Sequence, residues 1–153
     1  MIRYEFRHLD DDTASQLIAL SARWVEEECS YGMVVNQWED LKEPLAVALD
    51  GNKIVGYCFG EFYRQQRKSS YIPLDASCFS VDELYTLPQY RGLGVGKTLF
   101  RMIEKAVAGQ CGYITLTTPT KNYKAILHLY IEELRMDFYS AFLIKKTGDT
   151  ICV

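Results

Sequence analysis

The chain opens on a strict alternation, with Ile2, Tyr4 and Phe6 set against Arg3, Glu5 and Arg7. A period of two belongs to a strand with one face in a core, so a strand is predicted there. Asp10-Asp11-Asp12 follows, and short acidic side chains are suited to capping a helix N-terminus. From about residue 12 the spacing becomes helical. Leu17, Leu20 and Trp24, with Ile18, Val25 and Cys29 beside them, share an apolar face, while Glu26-Glu27-Glu28 falls mostly on the solvent side. A helix end is expected near Ser30-Tyr31-Gly32.

Leu45–Leu49 and Ile54–Phe62 are apolar, β-rich runs separated by Asp50-Gly51-Asn52-Lys53, which reads as an antiparallel hairpin with a four-residue turn. Residues 63–77 show no period and are expected to form a long loop. The order then changes to strand (Phe79–Thr86), loop (Leu87–Gly92), helix (Leu93–Ala108), strand (Tyr113–Thr118), helix (Lys121–Arg135) and strand (Phe138–Lys145). Val95, Leu99, Met102, Ile103 and Ala106 share the apolar face of the first of these helices. Strands alternating with helices imply parallel neighbours joined by right-handed crossovers. The expectation is a single domain over residues 1–153, of the α+β class. Its mixed β-sheet would be antiparallel in its N-terminal part, parallel in its central strands and flanked by about four helices.

Composition narrows the function. With 48% hydrophobic and 24% charged residues, the 153-residue chain has the balance of a folded globular protein. A net charge of −3 and a single basic run, Arg64-Gln65-Gln66-Arg67-Lys68, argue against a nucleic-acid partner. Cys29, Cys58, Cys78, Cys111 and Cys152 are odd in number and widely spaced, so neither a disulfide framework nor a metal site is expected. The N-terminus lacks the apolar core of a signal peptide, and no apolar run approaches the roughly 18 residues of a membrane span. No membrane association is expected, and a cytoplasmic location follows by default.

Val81 to Thr98 combines a strand, a turn, a glycine-rich loop and a helix start. Glycines let backbone N–H groups approach a ligand closely, and at a helix N-terminus those donors and the dipole favour a phosphate. A P-loop, G-x-x-x-x-G-K-S/T, would need glycine at Arg91, and a dinucleotide fingerprint, G-x-G-x-x-G, would need it at Lys97. A third pattern, Q/R-x-x-G-x-G/A, is filled at every place by Arg91-Gly92-Leu93-Gly94-Val95-Gly96. In this segment, Thr86-Leu87-Pro88-Gln89-Tyr90 leading into that loop, the chain resembles the GNAT superfamily of N-acetyltransferases, whose cores carry V-x-P-x-x-R-G-x-G-I/V-G.

The resemblance implies acetyl-CoA as co-substrate and no metal. It implies that the amides of Arg91, Gly92, Leu93, Gly94, Val95 and Gly96, with Lys97 and Thr98, hold the pyrophosphate. The main chain of Leu84, Tyr85 and Thr86 would pair with the pantetheine arm as an added strand. Asn122 would contribute to the same coenzyme site, and a homodimer is compatible with the superfamily.

Acetyl transfer to an amine needs a base, because an alkylammonium has a pKa of about 10, and an acid for a departing thiolate whose thiol titrates at about 8.5. Asp82 and Glu83 are the candidate bases. Successive strand residues face opposite sides, so one of them is expected to face the cleft, and the resemblance favours Asp82. For the acid, Asn122-Tyr123-Lys124-Ala125 begins the superfamily's N-x-x-A, whose tyrosine usually follows seven residues after the asparagine. That place is Leu129 here, and Tyr130 comes one later; Arg135-Met136 stands where G-F often ends the helix. Tyr130 also lies on the stripe Leu127, Tyr130, Ile131, Leu134, which suits a core position equally.

The expected acceptor is the primary amine of a small molecule. A cationic one, such as a polyamine or aminoglycoside, would suit the acidic side chains Glu26, Glu27, Glu28, Glu39, Asp40 and Glu43. A protein N-terminus or lysine is the alternative acceptor, and a non-catalytic acyl-CoA sensor the alternative role.

Overall fold

The computed structural model describes residues 1–148 of the chain; Cys152 lies outside them. The elements are β1 (Ile2–Arg7), α1 (Asp11–Glu26), β2 (Leu45–Asp50), β3 (Lys53–Arg64), β4 (Ser77–Thr86), α2 (Val95–Val107), β5 (Tyr113–Thr115) and α3 (Tyr123–Leu127). A π-helical turn, His128–Glu133, continues α3. The five strands form one sheet in the order β1-β2-β3-β4-β5, antiparallel throughout except for the parallel β4–β5 pair. The mixed α+β sheet expected from the sequence is present, with three α-helices among the described residues.

Asp10 caps α1: its carboxylate accepts from the Thr13 backbone N–H at 2.7 Å, and that bond holds the Asp10 carboxyl below its usual value. Leu45 to Leu49 are all buried, as befits a strand covered on both faces. The turn after β2 is tighter than expected, because Asp50 and Lys53 pair and leave only Gly51-Asn52 between the strands. β3 runs on to Arg64 and β4 starts at Ser77, so the loop expected over 63–77 shrinks to 65–76.

Neighbouring residues of β3 assign the helices to faces. A Cβ on Gly56 would lie 3.2 Å from Val95 and 3.3 Å from Leu99 of α2, whereas Tyr57 lies by Tyr85, on which Trp24 of α1 stacks with ring centroids 5.0 Å apart. Adjacent strand residues point to opposite faces, so α1 and α2 sandwich the sheet. Val95, Leu99, Phe100, Ile103 and Val107 form the buried stripe of α2; Met102 is half-buried and Ala106 exposed.

Two regions depart from the pattern. β5 ends at Thr115, three residues short of its expected end. Phe138–Lys145, expected as a strand, pairs with no strand among the described residues, and Phe142 and Leu143 are 91% and 89% exposed. Its β-rich composition is real, but a strand exists only where an edge supplies the ladder bonds.

The π-helical turn stops at Leu134, whose N–H donates to the Leu129 carbonyl, and the chain reverses through Arg135 at φ 60°. This is the left-handed conformation that glycine occupies without steric cost. Arg135→Gly should therefore raise stability by about 0.5–1 kcal/mol after the entropy of the freer unfolded chain is subtracted. Thermal denaturation should show a gain of roughly 1–4 °C.

Candidate active site

The parallel ladder between β4 and β5 has three rungs, Cys78↔Tyr113, Phe79↔Ile114 and Ser80↔Thr115, and then stops. From Val81 to Thr86, β4 stays paired with β3 on one side and, among the described residues, has no strand on the other. The chain beyond β5 is drawn off by the segment after α1. Ser30 and Thr120 form an antiparallel bridge, the Tyr31 N–H donates to the Pro119 carbonyl at 2.8 Å, and the Lys121 N–H donates to the Cys29 carbonyl at 2.8 Å. Along the edge carrying Leu84, Tyr85 and Thr86, the Thr86 carbonyl accepts from Arg91 Nε at 2.8 Å, and the remainder is open for an extended chain to add.

The glycine-rich loop closes one end of this edge. Among the described residues no acceptor meets the N–H of Gly92, Leu93, Gly94, Val95, Gly96 or Lys97, and the first closed helical bond runs from Thr98 N–H to the Gly94 carbonyl at 3.0 Å. Gly92 and Gly94 have φ of 76° and 79°, which turns the loop back so that these donors precede α2. Free amides at the start of a 13-residue helix are donors of the kind that suit a phosphate.

Four residues in the expected set have side chains or amides engaged within the protein. The Arg91 N–H is used in a 3₁₀ turn, donating to the Pro88 carbonyl at 3.2 Å. Its guanidinium is held by Glu27, Nη1 to Oε1 at 2.7 Å and Nη2 to Oε2 at 2.9 Å. Glu27, expected on the solvent side of α1, instead turns toward this loop. Lys97 lies 3.8 Å from Glu133, the Thr98 hydroxyl donates to the Gly94 carbonyl, and the exposed Asn122 has its N–H bonded to the Thr120 hydroxyl oxygen.

Asp82 and Glu83 are separated by a β-bulge. Phe59 pairs with Glu83 and Gly60 with Val81, so Asp82 is the extra residue. Gly60 permits this close approach, because a Cβ there would overlap the Ser80 carbonyl oxygen. The bulge sends Asp82 into an ion pair with Lys42 at 2.6 Å, with Ser80 donating to its other oxygen. Glu83 goes to the α1 face, where the Asn36 amide nitrogen donates to both carboxylate oxygens at 2.9 Å and the Tyr57 hydroxyl donates at 2.7 Å. Burial pushes the Glu83 carboxyl above its ordinary value, with Asp40 and Asp82 adding to the effect and the two hydrogen bonds opposing it. The geometry therefore favours Glu83 as the base, against the preference for Asp82.

Tyr130 is buried, its ring 6.1 Å from that of Phe100. Its hydroxyl has no hydrogen-bond partner among the described residues and is not fully enclosed. Burial, with a smaller contribution from Cys58, raises its pKa and keeps it protonated. Tyr130 lies within the π-helical turn, so the stretch that departs from the usual spacing is also the stretch that departs from α-helical geometry.

The model of the acetyltransferase (GNAT) family matches residues 7–134. The chain belongs to this family. Its members' fold and chemistry make it an acetyl-CoA-dependent acetyltransferase. Among solved structures, it is similar to an aminoglycoside acetyltransferase from an uncultured soil metagenomic sample, at 16% identity over 97% of this chain and 96% of that one, with a TM-score of 0.66. It is also similar to a predicted acetyltransferase with acetyl-CoA from Clostridium acetobutylicum, at 16% identity, 95% and 96% coverage and a TM-score of 0.66. A ribosomal-protein-alanine N-acetyltransferase from Brucella melitensis biovar Abortus 2308 matches at 17% identity, 95% and 100% coverage and a TM-score of 0.62. No curated protein gives a significant match.

Asn36, Tyr57, Lys42 and Glu27 were not singled out as site residues by motif or spacing; Glu27 was read only as part of an acidic run. Asn36 sits in an aperiodic loop, and Tyr57 meets Glu83 only once the β3–β4 register is known. The GNAT loop yields a paired prediction. Gly94→Asp should abolish measurable CoA binding through like charge and bulk, at a folding cost of about 1 kcal/mol for a side chain at positive φ. Gly96→Ala meets Thr86 and Leu129 only at 3.9 and 4.0 Å, so it should bind CoA normally and gain up to about 1 kcal/mol from helix propensity. Titration calorimetry with CoA and thermal melts check both.

Proposed function

We propose that this GNAT protein acetylates the primary amine of a cationic small molecule, with Glu83 as general base and Tyr130 as general acid. The observation that carries the reading is the open β4 edge, with the half-buried Glu83 carboxylate on its α1 face and the unengaged Tyr130 hydroxyl contributed by the turn after α3. Acetyl-CoA supplies the acetyl group as a thioester whose carbonyl carbon the amine attacks and whose sulfur leaves with the electron pair of the broken bond. Glu83 takes the ammonium proton, directly or through a water, and its raised pKa makes it a better base than an ordinary carboxylate. Tyr130 gives its proton to the departing sulfur, and the second proton shed by nitrogen restores the tyrosine. Asn36 and Tyr57 orient the base.

Asp40 and Asp82 act electrostatically on Glu83, and Glu61 shares Lys42 with Asp82. This carboxylate-rich rim supports a cationic acceptor, as does the likeness to an aminoglycoside acetyltransferase. Thiol release should be followed across aminoglycosides, polyamines and alanine-terminated peptides. Turnover confined to the peptides would replace the small-molecule reading with protein N-terminal acetylation.

Glu83→Gln should lower kcat by about 10²–10⁴-fold with acetyl-CoA affinity unchanged, whereas Asp82→Asn should cost far less. In the wild type kcat/KM should fall as pH drops through the raised Glu83 pKa. The stability consequence has the opposite sense. Because the folded pKa exceeds the ordinary 4.5, wild-type stability relative to Glu83→Gln is greatest below that value and declines as pH rises through the folded pKa. Parallel pH–rate and pH–denaturation series would expose either error of sign.

Tyr130→Phe keeps the ring and its packing, so the melting temperature and CoA affinity should hold while kcat falls by about 10²–10⁴-fold. Tyr123→Phe, at an exposed position, is the control and should remain active. Full activity in Tyr130→Phe would make this tyrosine a core residue and pass the proton to another group.

A further inference from the structure

Residues 24–31 touch both walls of the coenzyme cleft without belonging to either. On one wall, the Glu27 carboxylate takes the bidentate guanidinium of Arg91 and also accepts from the Tyr85 hydroxyl at 2.6 Å. Tyr85 is sandwiched, with Trp24 stacked 5.0 Å away and the Arg91 guanidinium 5.5 Å from its ring centroid. Arg91 Nε donates to the Thr86 carbonyl at 2.8 Å. One carboxylate thus ties the free strand edge, through Tyr85, to the first residue of the phosphate loop. On the other wall, Cys29, Ser30 and Tyr31 hold the segment 119–121, and the Trp24 indole N–H donates to Ser30.

We infer that Glu27 is a positioning residue for the coenzyme: it fixes the phosphate loop at a set distance and angle from the β4 edge, so that backbone amides and strand can engage one ligand at once. The inference rests on the acetyl-CoA reading of the loop and concerns a residue that never touches the ligand. With its guanidinium neutralised by Glu27 and anchored to Thr86, Arg91 serves the pyrophosphate as a strut, leaving the attraction to the amides of Gly92 to Lys97. The Glu27 side chain is only 20% exposed, against 45% for Arg91, so the pair is partly shielded and geometrically fixed.

The test is a double-mutant cycle read by CoA dissociation constants from titration calorimetry on the full chain. Glu27→Gln keeps the shape and an acceptor for Tyr85 but removes the charge that holds Arg91; Arg91→Gln places at position 91 the other residue that the loop pattern accepts. Each single variant should weaken CoA binding by about tenfold, a size in keeping with a half-exposed pair. The double variant should bind no more weakly than either single one, since both remove the same strut. In turnover, Glu27→Gln should raise KM for acetyl-CoA with kcat nearly unchanged. Wild-type-like or tighter CoA binding by Glu27→Gln would overturn the inference, as would a lowered melting temperature with unchanged affinity, or additive losses in the double variant. Failure of the wild type to bind CoA would instead strike the coenzyme reading itself.

Discussion

A parallel strand pair requires a crossover, and α2 supplies the one between β4 and β5. The ladder that results is three rungs long, and everything chemical about the molecule depends on where it stops. Had β5 stayed paired along β4, the N–H and C=O groups of residues 81–86 on that side would be spent within the protein. Because the chain after Thr115 is pulled toward Cys29–Tyr31 instead, half of a central strand becomes an open edge inside the fold. An unpaired edge is ordinarily a liability for aggregation. Here the glycine-rich loop follows it at one end, between Thr86 and α2.

The two candidate proton carriers lie beside local irregularities. Glu83 shares the α1 face with Tyr85 by ordinary alternation, and the bulge next to it, tolerated because Gly60 across the ladder has no side chain, makes Asp82 the extra residue. Tyr130 lies within the π-helical turn His128–Glu133. Bulges and π-turns concentrate at functional sites for this reason: they re-aim one group without moving the element that carries it.

Charge is distributed unevenly around the cleft. At the glycine-rich loop the formal charge of Arg91 is neutralised by Glu27, and the backbone dipoles before α2 carry no titratable charge. On the acceptor side Asp40, Asp82 and Glu83 lie close together, with Lys42 neutralising only Asp82 and Glu61 directly. Like charge and burial raise the proton affinity of Glu83.

The sequence by itself determined the elements from β1 to α2, the mixed sheet and the place of the glycine-rich loop. Each of these is a local property: hydrophobic period selects strand or helix, and glycines before an amphipathic helix leave its first amides free wherever the rest of the chain lies. It also named Asp82, Glu83 and Tyr130 as candidates, but not their surroundings. The bulge at Asp82 depends on Gly60, more than twenty positions earlier, and the surroundings of Tyr130 on hydrogen-bond geometry within the π-turn. Asn36, from a loop with no period, and Glu27, from a run that reads as solvated, acquire roles only when β4 and Arg91 are packed against them. The expected strand at Phe138–Lys145 failed on the same ground. Tertiary structure alone decides which edge a β-rich segment meets, because ladder bonds belong to pairs of segments and not to either one.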